Sequence, residues 1–386
     1  MEVTKRKKIL FLIGNLESGG VSKSMVSLLN VIDKKTYDIS LWCGSPSGIF
    51  YSLLPKDIRI ISNKKTTLLL QGINGVFVLL RTGCILLFFA SIIRLVLSKI
   101  NKAYASWWLS RFFPSLQEKY DLIVDYNGQQ QLYYMVDKLE GKKKVTFFHN
   151  DYAKWPYYYE MDRKYFPKVD AIFTISEQCV DSLRKFFPNE VDKIKLMENI
   201  SSVDLIRKMA DEENIKFNSK ISILTVGHVC KRKGTDLAIE AIRLLRDKGI
   251  DFKWYFLGAV KEDFSALISK YSLESYIEFL GVKINPYPYI KACDLYVHPS
   301  RYEGKSIALD EAKILCKPIV VTNFSTVHDQ FKDGENALIA DFLPENIAFK
   351  IMNLLDDEEL SDFLVENLKR SVSDNSSEIN KLYFLL

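Results

Sequence analysis

The sequence ISILTVGHVCKRKG, residues 221–234, indicates how the second half of the chain folds. An apolar, β-branched segment leads through Gly227 into three consecutive basic residues, and a helical pattern follows from Thr235. An apolar segment followed by a glycine turn and a helix is typical of a buried parallel strand with its crossover helix. Ligands bind at the carboxyl ends of such strands, so the basic loop is a candidate site.

The same alternation of strand and helix patterns recurs along the chain. We predict strands at residues 8–14, 37–42, 58–61, 122–125, 144–148, 171–175, 221–226, 253–257, 277–280, 295–298, 319–322 and 337–340. Helical periodicity lies between them, so the fold class is α/β, with two doubly wound parallel sheets in tandem. We expect an N-terminal domain at 1–200, a linker at 201–220, a second domain at 221–370, and a tail or crossover helix at 371–386.

Composition excludes several classes of protein. The chain has 386 residues, of which 48% are hydrophobic and 26% charged, which is ordinary for a soluble globular protein with sizeable cores. With 17 Gly and 11 Pro it is neither collagen-like nor of low complexity. The 6 cysteines form no C-x-x-C pair, which argues against a zinc ribbon or a disulfide scaffold. We expect them to be packing residues in a reducing compartment.

Charge is distributed unevenly. The net charge is +5, yet residues 1–120 alone hold 17 basic and 6 acidic side chains. A basic first half suggests an anionic partner: nucleic acid, anionic lipid or a phosphorylated acceptor. The sequence contains no recognisable nucleic-acid-binding module, so we expect no nucleic acid.

The apolar stretch from Leu68 to Leu97 is the strongest membrane signal. Only twelve residues separate Arg81 from Arg94, about 18 Å of helix against a hydrocarbon core of about 30 Å. A full span would bury an arginine in hydrocarbon, which is costly. Two alternatives stay open: an interfacial helix, or helices that cover the first sheet.

Three segments that follow predicted strands carry residues suited to ligand chemistry. Glycines let a backbone approach a ligand, basic residues bind phosphate, and carboxylates accept hydrogen bonds from hydroxyl groups. The segments are Gly19-Gly20, His228 to Lys233, and Ser300 to Ser306 with Glu303 and, further on, Glu311. Taken singly, they could also be a plain turn, a solvated charge run and solvated helix carboxylates.

Taken together and in this order, the three segments resemble family 4 glycosyltransferases of GT-B architecture. The matching motifs are the glycine pair, the loop from Gly227 to Gly234, and the E-x₇-E pair of Glu303 and Glu311. Further matches lie at 148–151, 175–177, 279–281, 294–300, 317–322 and 333–338. The resemblance implies two Rossmann-like domains with an interdomain cleft, the first binding the acceptor and the second the nucleotide sugar. It is greatest for enzymes of bacterial capsule, lipopolysaccharide O-antigen or exopolysaccharide synthesis.

The resemblance also implies residue roles in a retaining transfer that uses no metal or other cofactor. The predicted catalytic residues are His149, Glu303 and Lys233. The predicted donor-binding residues are Gly19, Gly20, His228, Arg232, Lys233, Gly304, Lys305, Ser306 and Glu311. Lys233 would neutralise the diphosphate, Glu311 would accept from the ribose, Glu303 would hold sugar hydroxyls, and His149 would lie near the transferred sugar and acceptor.

Three places depart from the family pattern. One is the segment from Ser325 to Gln330, which stands where the family's G-G-x-x-E element is usual and leaves the donor-sugar contacts there open. His228 stands where an arginine is usual, so Arg232 or Lys231 would replace the missing charge. Lys305 stands where many relatives have an apolar residue, so its side chain is expected to reach the donor phosphate.

The implied partners are a nucleotide-sugar donor and a glycan or polyprenyl-diphosphate-linked acceptor. An anionic membrane surface is also expected, since the first half is basic, and this places the protein peripherally on the inner face of the cytoplasmic membrane. Two alternatives remain. A GT-B sugar-nucleotide epimerase would need more acid–base groups than the 4 histidines suggest. A catalytically silent nucleotide-sugar-binding scaffold is disfavoured by the intact Lys233, Glu303 and Glu311, although the unusual His228 leaves it open.

Overall fold

The computed structural model describes residues 6–17 and 19–386. The chain divides into two compact units, the first formed by Met1–Ile200 with Ser376–Leu386 and the second by Ser201–Asn375. Each unit contains one parallel β-sheet with helices on both faces. The predicted pair of doubly wound α/β domains is confirmed.

The sheet of the first unit has seven parallel strands in the order β3-β2-β1-β4-β5-β6-β7. The strands are β1 (Lys7–Asn15), β2 (Tyr37–Ser45), β3 (Arg59–Ile61), β4 (Tyr120–Asp125), β5 (Gly141–Phe148), β6 (Ala171–Thr174) and β7 (Ile194–Leu196). The helices are α1 (Gly20–Val31), α2 (Lys64–Leu70), α3 (Gly72–Arg81), α4 (Ile85–Ile100), α5 (Lys102–Ser110), α6 (Gln130–Lys138), α7 (Tyr159–Tyr165) and α8 (Glu177–Phe186). Sequence periodicity missed only β7 among these strands.

Strand β1 shows why the sheet is covered on both faces. Ile9, Phe11 and Ile13 belong to one hydrophobic cluster, whereas Leu10 and Leu12 belong to another. Because successive side chains of a strand point to opposite faces, a continuous apolar strand needs helices on each side.

The apolar stretch 68–97 is divided among α2, α3 and α4. Its inner side packs against the first sheet, with Leu69 and Leu79 fully buried. Its outer side is exposed, with Leu86 72% and Phe77 60% accessible. The prediction that these helices cover the first sheet is confirmed, and an interfacial role of their exposed side stays a prediction. Within the described chain, no helix combines the length and apolar content needed to cross a membrane.

The sheet of the second unit has six parallel strands in the order β10-β9-β8-β11-β12-β13. The strands are β8 (Ser222–Val226), β9 (Lys253–Leu257), β10 (Ile277–Gly281), β11 (Leu295–His298), β12 (Ile319–Thr322) and β13 (Leu338–Ala340). The helices are α9 (Val203–Ala210), α10 (Thr235–Asp247), α11 (Ser265–Lys270), α12 (Tyr287–Ala292), α13 (Ile307–Ile314), α14 (Pro344–Asp356) and α15 (Glu358–Ser371).

Two predicted boundaries need correction. The expected linker 201–220 contains α9, whose Val203, Ile206 and Ala210 are buried in the second unit. The expected tail or crossover helix 371–386 divides: α15 ends in the second unit at Ser371, and Ser376–Leu386 crosses back to the first. Both elements are short, so their apolar side chains recur over too few turns to give a clear periodic signal.

The returning segment completes the first core. It contains α16 (Asn380–Tyr383), and its Ile379 and Leu382 are buried against the first sheet. The ring of Tyr383 stacks on Tyr37 with 4.6 Å between centroids. Of the cysteines, Cys43, Cys179, Cys230 and Cys293 are buried, Cys84 and Cys316 are half-buried, and all are free thiols.

Candidate functional site

The strand order of each sheet reverses direction at one place, between β1 and β4 in the first unit and between β8 and β11 in the second. Loops that leave neighbouring strands in opposite directions open a crevice at the carboxyl ends, where α/β proteins bind ligands. In the second unit these are the loops after β8 and β11, which carry most of the predicted site residues.

The loop after β8 is held against the loop after β11 by a close backbone contact. Lys231–Lys233 form one 3₁₀ turn, and Gly234 follows with φ of 72°. A Cβ at Gly234 would lie 1.8 Å from the Pro299 carbonyl oxygen, so no other residue fits there. The glycine thereby places Lys233 beside the segment that contains Glu303.

Arg301 fastens the same two loops through side chains. Its Nη1 and Nη2 donate to Asp236 Oδ1 and Oδ2 at 2.7 and 2.8 Å, and its main-chain N–H donates to the Arg232 carbonyl at 3.0 Å. A bidentate arginine–carboxylate pair fixes direction as well as distance. Sequence reasoning missed this pair, because 65 residues separate its members.

Glu303 is buried at the centre of the site. Its Oε1 pairs with Lys233 Nζ and also accepts from Ser300 Oγ at 2.7 Å and from His298 Nε2 at 3.0 Å. Its Oε2 lies 3.9 Å from Arg232 Nη1. Burial alone would raise the pKa of Glu303, but Lys233 and His298 outweigh it and hold the pKa below its ordinary value. Glu303 is therefore ionised at neutral pH.

Glu311 occupies a separate environment on α13. It is buried, and its Oε1 accepts from the Tyr287 hydroxyl at 3.1 Å. Burial and then the Glu311 charge raise the pKa of Tyr287 well above its ordinary value, so that hydroxyl remains a donor. The two carboxylates of the E-x₇-E pair thus have different partners, which suits different functions.

The backbone at the start of α13 is bound by a glutamine side chain. The Ser306 N–H donates to Gln330 Oε1 at 3.0 Å, and Gln330 Nε2 donates back to the Ser306 carbonyl at 3.1 Å. In this structure the Gln330 side chain therefore occupies the Ser306 amide, and donor binding by Ser306 stays a prediction. Gly304 is buried and Lys305 is half-buried at the same turn.

His228 is half-buried and surrounded by positive charge. Burial lowers its pKa, and Lys261, Lys233 and Arg232 lower it further. His228 is therefore neutral at pH 7 and does not replace the fixed charge of the usual arginine. The cations that act on His228 are Lys233, Arg232 and the exposed Lys261. Lys261 was not predicted from the sequence, because it follows β9 and belongs to no motif.

The remaining predicted residues lie in the first unit. Gly19 has φ of 104° and precedes Gly20 at the start of α1, and a Cβ added at Gly19 would meet no described heavy atom within 4 Å. His149 follows β5, and its Nε2 lies 3.0 Å from the Tyr126 carbonyl, which fixes the proton on that nitrogen. Burial lowers the pKa of His149 to about 4, so the ring is neutral.

Residues 207–371 match the family model described as glycosyl transferases group 1. The second unit is a glycosyl transferases group 1 domain. Its Lys233, Glu303 and Glu311 all fall within the matched range. Among the residues that the structure describes, the group 1 domain and the first unit contain no cluster of three His, Cys, Asp or Glu side chains suited to a metal ion.

Curated relatives resemble parts of the chain. It is 30% identical over 199 residues to the Campylobacter jejuni N-acetylgalactosamine-N,N'-diacetylbacillosaminyl-diphospho-undecaprenol 4-alpha-N-acetylgalactosaminyltransferase, covering 50% of this chain and 53% of that protein. It is 26% identical over 202 residues to the Staphylococcus aureus poly(ribitol-phosphate) alpha-N-acetylglucosaminyltransferase, covering 50% and 38%. The chain spans about half the length, or less, of these two relatives.

The fold likeness extends over the whole chain. The crystal structure of Anabaena HepE in complex with UDP and glucose superposes with a TM-score of 0.71 at 15% identity, covering 98% of each chain. Such a likeness concerns the fold alone. Together with the two parallel sheets, it confirms the predicted GT-B fold class.

Proposed function

We propose that this protein is a retaining glycosyltransferase of bacterial surface polysaccharide synthesis. It would move a sugar from a nucleotide-sugar donor to a glycan or a polyprenyl-diphosphate-linked acceptor. The observation that carries the proposal is the pairing of Lys233 with buried Glu303 between β8 and β11, in a group 1 domain. The Campylobacter relative, by its name, acts on a diphospho-undecaprenol-linked saccharide, which supports the acceptor class.

The Lys233–Glu303 pair matches the two ends of a sugar diphosphate. A diphosphate is anionic and would take Lys233 as its partner, whereas sugar hydroxyls are donors and would take the Glu303 carboxylate. Arg232, 3.9 Å from Glu303, adds a second cation beside the phosphate. Glu311, further along on α13, is left for the ribose.

The transfer step assigns a role to each group. The bond from the sugar anomeric carbon to phosphate breaks, and the acceptor oxygen bonds to that carbon on the same face. The acceptor proton passes to the departing phosphate, giving the glycoside and a nucleoside diphosphate. Lys233 would stabilise the charge that develops on phosphate, which is the task that preorganised cations perform in transfer reactions. We propose no metal and no cofactor for this step.

His149 is proposed to contact the transferred sugar or the acceptor. Its pKa of about 4 keeps it neutral, so it would serve as a hydrogen-bonding group and not as a proton donor at neutral pH. Gly19 and Gly20, at the open start of α1, would let the backbone approach the same ligands.

A donor panel tests the proposal. The full chain is incubated with UDP-glucose, UDP-galactose, UDP-N-acetylglucosamine and UDP-N-acetylgalactosamine, and the products are followed by proton NMR. We expect slow hydrolysis of one donor, with the α-anomer of the sugar formed first. Interconversion of two donors would instead identify an epimerase. Binding without release of sugar would identify a scaffold, and a β-anomer formed first would contradict retention.

We also propose that the protein binds an anionic membrane surface through its first unit. Among the described residues, eleven of 24 exposed large hydrophobic side chains lie between Ile73 and Ile100. Clustered exposure of this kind marks an interaction surface. These side chains lie on helices α3 and α4, and we call the exposed outer side of the two helices the α3–α4 surface. It comprises Ile73, Phe77, Leu80, Leu86, Phe89, Ile93, Val96 and Ile100.

Charge favours lipid as the occupant of the α3–α4 surface. Residues 58–117 contain eight Lys and Arg and not one Asp or Glu. Each basic residue near an anionic leaflet adds about 1 kcal/mol of attraction. Apolar side chains with a basic surround are the composition of helices that lie in the membrane interface.

Vesicle flotation tests this second proposal. Wild type is expected to float with phosphatidylglycerol vesicles at low salt and to be released at high salt, whereas Leu86→Glu with Phe89→Glu remains in the pellet. The control, Phe349→Glu with Phe363→Glu, alters two similarly exposed side chains of the second unit and should float normally. Failure of wild type to float, or equal loss in the control, would contradict a lipid-binding α3–α4 surface.

A further inference from the structure

His298 is a buried histidine that the predicted mechanism does not use. It is the last residue of β11, five residues before Glu303, and is 1% exposed. Its Nε2 lies 3.0 Å from Glu303 Oε1 and 3.3 Å from Ser306 Oγ. An ionised carboxylate only accepts hydrogen bonds, so the His298 proton is on Nε2.

Three donors converge on the same oxygen of Glu303. Lys233 Nζ, Ser300 Oγ and His298 Nε2 all lie at Oε1, and no described residue donates a hydrogen bond to Oε2. A carboxylate has about four acceptor positions over its two oxygens, so Oε1 is saturated. The unsaturated oxygen is Oε2.

We propose that His298 is a positioning residue that, with Ser300, fixes Glu303 through Oε1 and so reserves Oε2 for a hydroxyl of the donor sugar. This inference rests on the proposed glycosyltransferase function for the identity of the ligand. The geometry of the carboxylate itself does not depend on that function. When the diphosphate draws Lys233 away, His298 and Ser300 remain to hold the carboxylate in place.

The second ring nitrogen of His298 favours positioning over packing. Its Nδ1 is buried and has no partner among the described residues. An unpaired buried polar atom costs stability, about 1–3 kcal/mol. An apolar ring at this place would avoid that cost, so the histidine is explained by its donor and not by its volume.

Two variants separate the donor from the ring. His298→Phe keeps a ring and removes the N–H, and His298→Gln keeps an N–H at a similar reach and removes the ring. His298→Phe is expected to unfold within a few degrees of wild type, because it loses the hydrogen bond to Glu303 but also removes the unpaired Nδ1, and the two effects offset each other. A purely structural histidine would give a large loss of stability in His298→Phe.

The direct readout is nitrogen-15 NMR of the 4 labelled histidines in the full chain. We expect His298 as the neutral Nε2–H tautomer from pH 6 to 8, with a low-field ring proton that moves upfield in Glu303→Gln. An Nδ1–H tautomer, or a ring proton that Glu303→Gln leaves unchanged, would overturn the proposal.

The functional readout is hydrolysis of whichever of the four UDP-sugars the panel identifies. His298→Phe is expected to lower kcat about tenfold with KM changed less than threefold, and His298→Gln to recover most of it. The acid limb of kcat/KM should move to higher pH in His298→Phe. The charged and titratable groups that face Glu303, namely Lys233, Arg232 and His228, are left unaltered. An unmoved acid limb would contradict positioning.

The two tests fail separately. If no UDP-sugar is hydrolysed by wild type, the proposed function fails, and the NMR result still decides whether His298 holds Glu303. If hydrolysis occurs but both variants behave as wild type, only the positioning proposal fails.

Discussion

The two units share one topology but differ in what lies at the carboxyl ends of their strands. In the second unit, the loops after β8 and β11 bring Lys233, Arg232 and Glu303 into one buried, charged cluster. In the first, His149 is neutral, and many of the exposed large hydrophobic side chains lie on helices α3 and α4. The same scaffold thus supports an electrostatic site in one unit and a largely apolar surface in the other. Function follows the loops and helices that are added to the sheet.

The largest expected effect concerns the charged cluster. Lys233→Met should lower donor hydrolysis about 100- to 1,000-fold, because removing a preorganised charge from a transferring phosphate costs about 3–4 kcal/mol. Lys231→Met is the matched control, since Lys231 lies in the same 3₁₀ turn but is exposed. Steady-state hydrolysis of the identified UDP-sugar is the measurement. Equal effects of the two substitutions would show that general charge, and not position, matters.

The first unit should respond to pH through His149. Its pKa is 6.5 in the unfolded chain and about 4 in the structure, so its contribution is complete above pH 6.5 and is lost as pH falls towards 4. The loss is at most about 3 kcal/mol. His149→Phe should remove it, whereas the exposed His328→Phe should not.

Urea unfolding at pH 7.0, 5.5 and 4.5, followed by tryptophan fluorescence, measures this difference. Four of the 5 tryptophans lie in the first unit, so the signal reports mainly on it. Burial raises the pKa of Asp125 and Asp162 to about 7. Their contribution to the free energy of unfolding therefore falls as pH rises, whereas that of His149 falls as pH is lowered. Only the wild-type minus His149→Phe difference therefore isolates the histidine. A difference that does not vary with pH would contradict the assignment.

The separate environments of the two carboxylates predict separable defects. Glu311→Ala should weaken UDP binding, and Glu303→Ala should mainly lower turnover, each about ten- to a hundredfold for a lost charged hydrogen bond of about 1.5–3 kcal/mol. Calorimetry with UDP and hydrolysis kinetics distinguish the two. Wild-type affinity and rate in both variants would refute the site assignment.

The smallest expected effect is at His228. Burial and neighbouring cations keep His228 neutral. Its titration should therefore change the affinity for the identified UDP-sugar less than about twofold between pH 6.5 and 8.5. His228→Arg should bind about threefold tighter, roughly 0.6 kcal/mol. Calorimetry at three pH values is sufficient, with His328→Arg as control. Affinity that falls tenfold as pH rises through 7 would show a charged His228 in the complex.

The sequence predicted the sheets well because strand patterns are local. Residues 253–257, 295–298 and 319–322 were predicted to the residue, since continuous apolar segments with β-branched residues have few alternatives. The short edge strand β7 and the helix α9 were missed. Both are short, with three residues in β7 and eight in α9, so their apolar patterns extend over too few residues to stand out.

The candidate site was predicted in its chemistry but not in its connections. Lys233 and Glu303 were found from motif spacing, and the structure pairs them. The roles of His298, Gln330 and the Arg301–Asp236 pair could not be read from sequence. Each depends on which loops the sheet order brings together, which is a property of the tertiary fold.

The return of Ser376–Leu386 to the first unit has a consequence for synthesis. These residues leave the ribosome only after all of the second unit. Until then, the part of the first core that Ile379 and Leu382 cover stays exposed in the nascent chain. Lys7 Nζ donates to the Leu386 carbonyl at 2.6 Å, which joins the first strand to the segment made last among those described. A fragment containing residues 1–200 alone would keep an uncovered apolar strip and a tendency to associate with chaperones.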